Sequence, residues 1–281
     1  MSAVAVAVRE DPAVRDALCA ASEPPIIDLA VSGLQKSFAG GTSVLRDVHF
    51  RIPRGQAVAL IGANGSGKST LLRCCVRLIE PNGGSLRLFG EEIVGLDFRR
   101  LRRLRTQVGF IFQQHNLVPR LSALSNVLHG ALSRTTGPRV WCHTLASRQE
   151  RERAWHCLEL VGLTQVSMHR ADHLSGGQSQ RVAIARTLMQ APRMVIADEP
   201  VASLDPRAGE EVMRLFIDLM RQEGITLFFT SHHLEHALQY ADRVLGLYRG
   251  QLAFDAPAPS LDVPSLRMIY EPATPGGGAS D

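Results

Sequence analysis

The stretch Ala57-Val58-Ala59-Leu60-Ile61 is wholly apolar and runs straight into Gly62-Ala63-Asn64-Gly65-Ser66-Gly67-Lys68-Ser69-Thr70. A short, unbroken apolar run ending in a glycine loop reads as a strand buried on both faces. The loop fits the pattern G-x-x-x-x-G-K-[ST], and a helix follows from Lys68 to about Ile79, stopped by Pro81-Asn82-Gly83-Gly84. Strand, glycine loop and helix in that order converge backbone N–H groups and the positive end of a helix dipole on one point, which suits phosphate oxygens. Lys68 can reach the β- and γ-phosphates of a nucleotide, and the Ser69 hydroxyl can ligand Mg²⁺. The chain is thereby committed to an α/β fold with its ligand at the end of a buried strand.

The rest of the sequence agrees with a parallel sheet covered by helices. Strand signals return at Met194–Ala197, at Thr226–Thr230 and at Arg243–Tyr248, with an amphipathic helix at Gly209–Glu223 between them. Upstream, a strand-like run from Ile26 leads to Phe38, and two turn-rich strands are expected around Val44–Ile52, with Gly40-Gly41 marking the first turn. From about Asn116 to Ala171 the pattern is helical and polar, interrupted near Thr135–Arg139, and reads as a separate helical subdomain. Residues 1–25 are Ala-rich and are expected to be a flexible extension, with a short helix around Ala13–Ala21. The tail, 256–281, holds five prolines and Gly276-Gly277-Gly278, and is expected to be loosely packed and disordered beyond about Pro272.

Composition excludes several functions. A net charge of +4 is mild, and 5% aromatics are too few for a base-stacking surface, so nucleic acid is not an expected partner. No window approaches the roughly 18 uncharged apolar residues that span a bilayer, and the apolar start precedes its charges instead of following them, unlike a secretory signal. Five cysteines without C-x-x-C spacing read as free thiols in a reducing compartment. The basic run Arg99-Arg100-Leu101-Arg102-Arg103-Leu104-Arg105 reads as a solvated helix with an apolar stripe at Leu101 and Leu104.

Two further motifs complete the pattern. Met194-Val195-Ile196-Ala197-Asp198-Glu199 is a buried strand ending in two carboxylates at the mouth of a sheet, where ligands collect; the same pair could instead cap the next helix. Leu174-Ser175-Gly176-Gly177-Gln178 precedes a helical run from Ser179 to Met189, a second anion-binding helix start, or an ordinary N-cap. Together with the glycine loop, these resemble the ATP-binding-cassette (ABC) ATPases. The resemblance runs from about Ile26 to Asp255 and implies a P-loop NTPase of that type, with a RecA-like core, an antiparallel β subdomain and an inserted α-helical subdomain at about 116–171.

The resemblance also implies roles. Asp198 would hold Mg²⁺ with Ser69 and Gln113, and Glu199 would orient or deprotonate the attacking water. Gln113 matches the family's glutamine that senses the membrane partner, although Gln114 beside it could take the place. His232 matches the γ-phosphate-sensing histidine, and His233 and His236 are expected on a helix surface; a three-histidine metal site is disfavoured because no cysteine lies near. Phe38 would stack on adenine, while Gly62, Asn64, Gly65, Gly67, Lys68, Ser69 and Thr70 would hold the phosphates. Ser175, Gly176, Gly177 and Gln178 would cover the ATP held by a second copy, with Ser203-Leu204-Asp205 as the dimer contact. Ser179 stands where the family often has a second glutamine.

Ile111-Phe112-Gln113-Gln114-His115-Asn116-Leu117-Val118 and Ala197-Asp198-Glu199-Pro200-Val201-Ala202-Ser203-Leu204-Asp205-Pro206 resemble, more narrowly, the ATP-binding subunits of phosphonate importers, and Trp141 fits the same group. That resemblance implies transmembrane permease subunits, a periplasmic substrate-binding protein and a peripheral place on the cytoplasmic face of the inner membrane. An importer of phosphate or another small solute, a soluble ATPase of a carbon–phosphorus bond-cleaving complex, and a DNA-repair ATPase carry the same motifs; the last usually has long coiled-coil insertions, and no sustained heptads occur here.

Overall fold

A computed structural model describes residues 25–38, 40–134, 143–264 and 266. The N-terminal extension with its expected helix, the break near Thr135–Arg139, Trp141 and the end of the tail lie outside the described residues.

Two sheets organise the chain. The smaller is antiparallel, built from β1 (Ile27–Ser37), β2 (Ser43–Pro53), β4 (Gly83–Leu88) and β5 (Glu91–Glu92) in the order β2-β1-β4-β5. The larger contains β3 (Ala57–Ile61), β6 (Val108–Ile111), β7 (Met194–Ala197), β8 (Thr226–Thr230), β9 (Arg243–Tyr248) and β10 (Gln251–Pro257) in the order β10-β9-β3-β8-β7-β6. It is parallel throughout except for the β9–β10 hairpin. The described helices of the α type are α1 (Lys68–Cys75), α2 (Phe98–Arg105), α3 (Ala123–Leu128), α4 (Arg148–Leu160), α5 (Gly176–Met189), α6 (Pro206–Gln222) and α7 (Leu234–Tyr240).

The apolar strands divide their side chains between the two faces of the large sheet, as a period of two requires. Val58, Leu60, Met194, Ile196 and Phe228 join the core shared with α1, α2 and the antiparallel sheet. Ala59, Ile61, Val195, Ala197 and Phe229 join the core under α3 to α7. Strands buried on both faces have no polar side to show, which is why Ala57–Ile61, Met194–Ala197 and Thr226–Thr230 read so plainly.

Several expectations are corrected. The two strands expected around Val44–Ile52 are one strand, β2, in which Asp47 takes a left-handed conformation (φ 54°). Three steps of β2 there oppose two of β1, so the extra residue is absorbed as a bulge and not as a turn. The helix from Lys68 ends at Cys75, before the Pro-Gly stretch. Arg77 adopts φ 55°, and Arg77 N–H and Leu78 N–H bond back to the carbonyls of Cys74 and Arg73, closing a Schellman-type end. The basic run forms α2 with Leu101 and Leu104 buried, but Arg105 is not a solvated residue: its guanidinium donates to the carbonyls of Val76 and Arg77 at the end of α1. The tail is not loose where it is described. β10 runs to Pro257, and Ala258 and Leu266 are buried against the large core. Cys74, Cys75 and Cys157 are free and buried, and burial pushes the Cys74 and Cys157 thiols up to about 11.

One buried carboxylate joins the two sheets. Asp28, fully buried on β1, accepts a hydrogen bond from Thr226 Oγ1 (2.6 Å) at the start of β8. Arg54 and Arg193 approach the same group at 3.3 and 3.5 Å, and Thr226 Oγ1 in turn accepts from Gly55 N–H at 2.8 Å. Removing one partner of a buried charged cluster leaves the others without compensation. The variant Asp28→Ala should therefore lose about 2–3 kcal/mol of stability, at the lower end for such clusters because both arginines are partly exposed. Urea denaturation with an unchanged m-value is the check; a midpoint equal to the parent's would refute the clasp.

Candidate functional site

The order of the parallel strands determines what meets at their carboxyl ends. β3, β8, β7 and β6 are consecutive neighbours, and each hands its chain to one of the motifs. Ile61 leads into the glycine loop, Thr230 into Ser231-His232, Ala197 into Asp198-Glu199 and Ile111 into Phe112-Gln113. Four segments distant in sequence are thus brought to one rim, the position at which open α/β sheets bind ligands.

The glycine loop is set by close backbone contact. A Cβ at Gly62 would lie 2.3 Å from the Leu247 carbonyl oxygen of β9, and one at Gly67 would lie 3.0 Å from that of Val44. Gly67 caps α1 at φ 108°, so the helix start at Lys68 needs a residue that tolerates that conformation. Only 5% of Lys68 is exposed, and its ammonium donates to the carbonyls of Gly62 (2.7 Å) and Ala63 (3.2 Å). Burial lowers its pKa, while the carboxylates of Glu199 and Asp198 work in the opposite direction. Ser66 Oγ is buried among these groups with no protein partner, an unmet polar atom inside the phosphate cradle.

Asp198 is the hub of the rim. Its Oδ1 accepts from Ser69 Oγ at 3.0 Å and from Thr230 Oγ1 at 3.2 Å, and Arg73 stands 3.8 Å from Oδ2. Thr230 Oγ1 also accepts from Glu199 N–H at 2.8 Å. Glu199 takes φ 52°, unusual for a residue with a Cβ and a form of strain found at working sites. Its Oε1 lies 2.5 Å from Nε2 of His232. A hydroxyl and a carboxylate at hydrogen-bond distance are the hard oxygen donors that Mg²⁺ prefers, so Ser69 and Asp198 fit that ion chemically. Gln113 is exposed two residues past β6, on the same rim. Phe38 is exposed at the β1–β2 turn with Lys36 Nζ 5.0 Å from its ring centre, and Val44 of the same hairpin packs on Gly67.

The remaining sequence-predicted residues gather elsewhere. The helix expected to start at Ser179 starts at Gly176, with Ser175 as its N-cap. Ser175 Oγ accepts from Gln178 N–H (3.3 Å) and Gln178 Oε1 from Ser175 N–H (3.0 Å), a reciprocal capping box. The motif is therefore an N-cap; that reading and an anion-binding one are compatible, because the same turn carries Gly176 and Gly177 without side chains. Ser175–Gln178 share an open groove of about 470 Å³ with Ser203, Leu204 and Asp205, and Asp205 caps α6 by accepting from Ala208 N–H. His233 stands exposed at the N-cap position of α7 without a side-chain cap bond, whereas His236, expected on the helix surface, is largely buried on α7. Among the described residues no group of three or more His, Cys, Asp or Glu side chains could hold a metal ion.

Sequence reasoning missed Thr230 and Arg73. A threonine ending a buried strand, next to an aspartate ending its neighbour, was the available signal for the first. Arg73 carries none, being one of several arginines on helices.

Fold and site together define a P-loop nucleoside-triphosphatase. The ABC transporter family model matches residues 45–202. Over 250 residues the chain is 45% identical to the phosphonates import ATP-binding protein PhnC 2 of Pseudomonas syringae pv. syringae, covering 85% of this chain and 88% of that one. It is 40% identical over 242 residues to the PhnC 2 protein of Oceanobacillus iheyensis, covering 86% and 95%. Among solved structures, the dimeric ATP-binding cassette MJ0796 bound to ADP and Pi is similar at a TM-score of 0.72 and 32% identity, over 82% of this chain and 98% of that one. CbiO1 of Clostridium perfringens, part of an ABC transporter complex, is similar at a TM-score of 0.73 and 27% identity, over 86% and 92%. The chain belongs to the ABC transporter family, as an ATP-binding and ATP-hydrolysing protein.

The contact between Gly62 and the Leu247 carbonyl yields a test. A methyl group at Gly62 cannot be accommodated without moving the loop or β9, and overpacking of this kind costs about 1–3 kcal/mol. The variant Gly62→Ala should bind a fluorescent ATP analogue at least about tenfold more weakly, an energy equivalent to roughly 1.4 kcal/mol. Binding at parental affinity would show that the loop is not held by β9.

Proposed function

We propose that the chain is the ATP-hydrolysing subunit of a phosphonate importer, working as a pair of copies on transmembrane permease subunits at the cytoplasmic face of the inner membrane, with a periplasmic binding protein delivering the solute. The observation that carries the catalytic part is the rim itself, where Lys68, Ser69, Asp198, Glu199 and His232 converge from neighbouring strands. The substrate class rests on the names of the relatives, because no residue of the described fold offers a phosphonate pocket with a chemical argument behind it. Among the described residues no helix is long and apolar enough to cross a membrane, which suits a subunit that borrows its membrane path from partners.

On this reading Gly62, Asn64, Gly65, Gly67 and Thr70 line the phosphates with backbone and hydroxyl donors, and Lys68 leaves its loop carbonyls for the β- and γ-phosphates. Phe38 stacks on the base. Ser69, Asp198 and Gln113 would hold Mg²⁺, which when bound would offset phosphate charge. Glu199 accepts a proton from water as the water oxygen bonds to the γ-phosphorus and the bond to the β–γ bridging oxygen breaks. His232, whose Nε2 lies 2.5 Å from Glu199, keeps that carboxylate aimed before ATP arrives and turns the same Nε2 to the γ-phosphate once ATP is bound. Ser175, Gly176, Gly177 and Gln178 face the nucleotide of the second copy, and Asp205 lies at the contact between copies. Positioning and charge stabilisation do most of the catalytic work.

Two experiments test the reading. Glu199→Gln should bind ATP, lose at least about a hundredfold in turnover and elute with ATP as a dimer, whereas Lys68→Ala should fail to bind or turn over nucleotide; parental ATPase rates in either variant would sink the catalytic assignment. Phosphate-starved cells lacking the gene should lose uptake of a labelled alkylphosphonate and keep phosphate uptake. Unaltered alkylphosphonate uptake, with a second importer excluded, would refute the substrate class.

A further inference from the structure

Immediately after His232 the chain makes a tight turn into α7. Ser231 Oγ accepts from His233 N–H at 3.0 Å and donates to the His233 carbonyl at the same distance, so the backbone on either side of His232 is tied to itself. What holds this turn against the rest of the protein is a cluster of side chains. The His233 ring lies 4.9 Å, centre to centre, from that of His236, and the His236 ring lies 5.9 Å edge-on from Tyr240. Both His236 and Tyr240 converge on one group of another helix, the carboxylate of Glu210 on α6. His236 Nε2 is 3.0 Å from Glu210 Oε2, and the Tyr240 hydroxyl donates to Oε1.

The protonation states make this a directional clamp. The Tyr240 hydroxyl lowers the pKa of Glu210, which keeps that carboxyl ionised, and burial pushes the Tyr240 phenol up to about 12, which keeps it a donor. Burial, together with His233, lowers the pKa of His236, with Glu210 and Glu235 acting the other way. A neutral His236 that donates from Nε2 must present a lone pair at Nδ1, and that atom is buried without a protein partner. His236 lines a pocket of about 90 Å³, whose lining also includes Glu199, Thr230, Ser231 and His232. The clamp therefore abuts the chamber in which Glu199 and His232 meet.

We propose that Glu210 is a positioning residue for ATP hydrolysis: by holding His236 and Tyr240, it fixes α7 and the turn before it so that His232 stays within reach of Glu199. This rests on the catalytic reading of Glu199 and His232 given above. Because α6 begins at Pro206, capped by Asp205 at the end of the Ser203–Asp205 loop, the clamp also joins that loop rigidly to the histidine turn. Glu210 lies on α6 about 1.4 turns beyond the capping Asp205.

The test uses the full-length chain and separates positioning from binding. Glu210→Ala should lower kcat about tenfold or more while leaving the ATP KM and the affinity for a fluorescent ATP analogue unchanged, since small misplacements cost rate and not ground-state binding. Glu210→Gln, whose carbonyl oxygen still accepts from Tyr240 but whose amide NH2 can pair with His236 only if that ring takes its other tautomer, should recover part of the rate. Glu210→Ala combined with His236→Ala should be no worse than Glu210→Ala alone, because the first substitution already removes the contact to His236. Should the alanine variant fail to fold, Tyr240→Phe should show a smaller kcat loss with the same unchanged KM. The proposal is overturned if these variants keep kcat within twofold of the parent while His232→Ala loses it. It is also overturned, with the catalytic reading beneath it, if His232→Ala and Glu199→Gln both turn over normally.

Discussion

A single carboxylate oxygen, Oδ1 of Asp198, holds the site together. It receives one hydroxyl from the helix after β3 and one from the end of β8, so three strands that meet only through the sheet are tied again at their tips. The Thr230 hydroxyl acts in both directions: it donates to Asp198 and accepts the N–H of Glu199. That second bond helps to hold Glu199 in a left-handed conformation its side chain would ordinarily disfavour, and the conformation turns the carboxylate toward His232. Alter Asp198, and the helix start, the strand end and the next residue's backbone lose a common reference.

The antiparallel sheet and the β9–β10 hairpin act as supports for the same rim. The would-be Cβ atoms of Gly62 and Gly67 point into backbone of β9 and β2 respectively, and Gly250 N–H in the hairpin donates to the Ser66 carbonyl. Asp28 locks β1 to the start of β8, at the end of the sheet opposite the site. The phosphate loop is consequently braced from two sheets, which explains why it can carry a buried, unpartnered serine hydroxyl and a desolvated lysine without collapsing. Both are costs that folding alone would not select.

Legibility in the sequence followed burial and locality. The strands Ala57–Ile61, Met194–Ala197, Thr226–Thr230 and Arg243–Tyr248 could be read to the residue, since apolar runs flanked by turn residues have few other uses. β4, β6 and β10 were not visible: β6 is four residues long with a glycine in it, and β10 is a half-exposed edge whose alternating pattern sits among prolines. The motif residues were legible because their spacing is local. Arg73 and the Arg105 cap were not, because their roles exist only across sequence separations that single-chain patterns do not encode. Leu266 belongs with them: an isolated leucine in a Pro-Gly-rich tail gives no sign that it will be buried.

The two groups of site residues also differ in how complete they are. At the rim, carboxylates already have partners in Ser69, Thr230, Arg73 and His232, so the local charge is set before any nucleotide arrives. In the other group the capping box uses the N–H groups of Ser175 and Gln178 for the protein's own purposes. The N–H groups left at the start of α5 are those of Gly176 and Gly177, which carry no side chains of their own and sit where the helix dipole is most positive. Such a terminus, exposed at Gly176, is open to water or to an anion. On the proposed reading the anion is the nucleotide of a second copy.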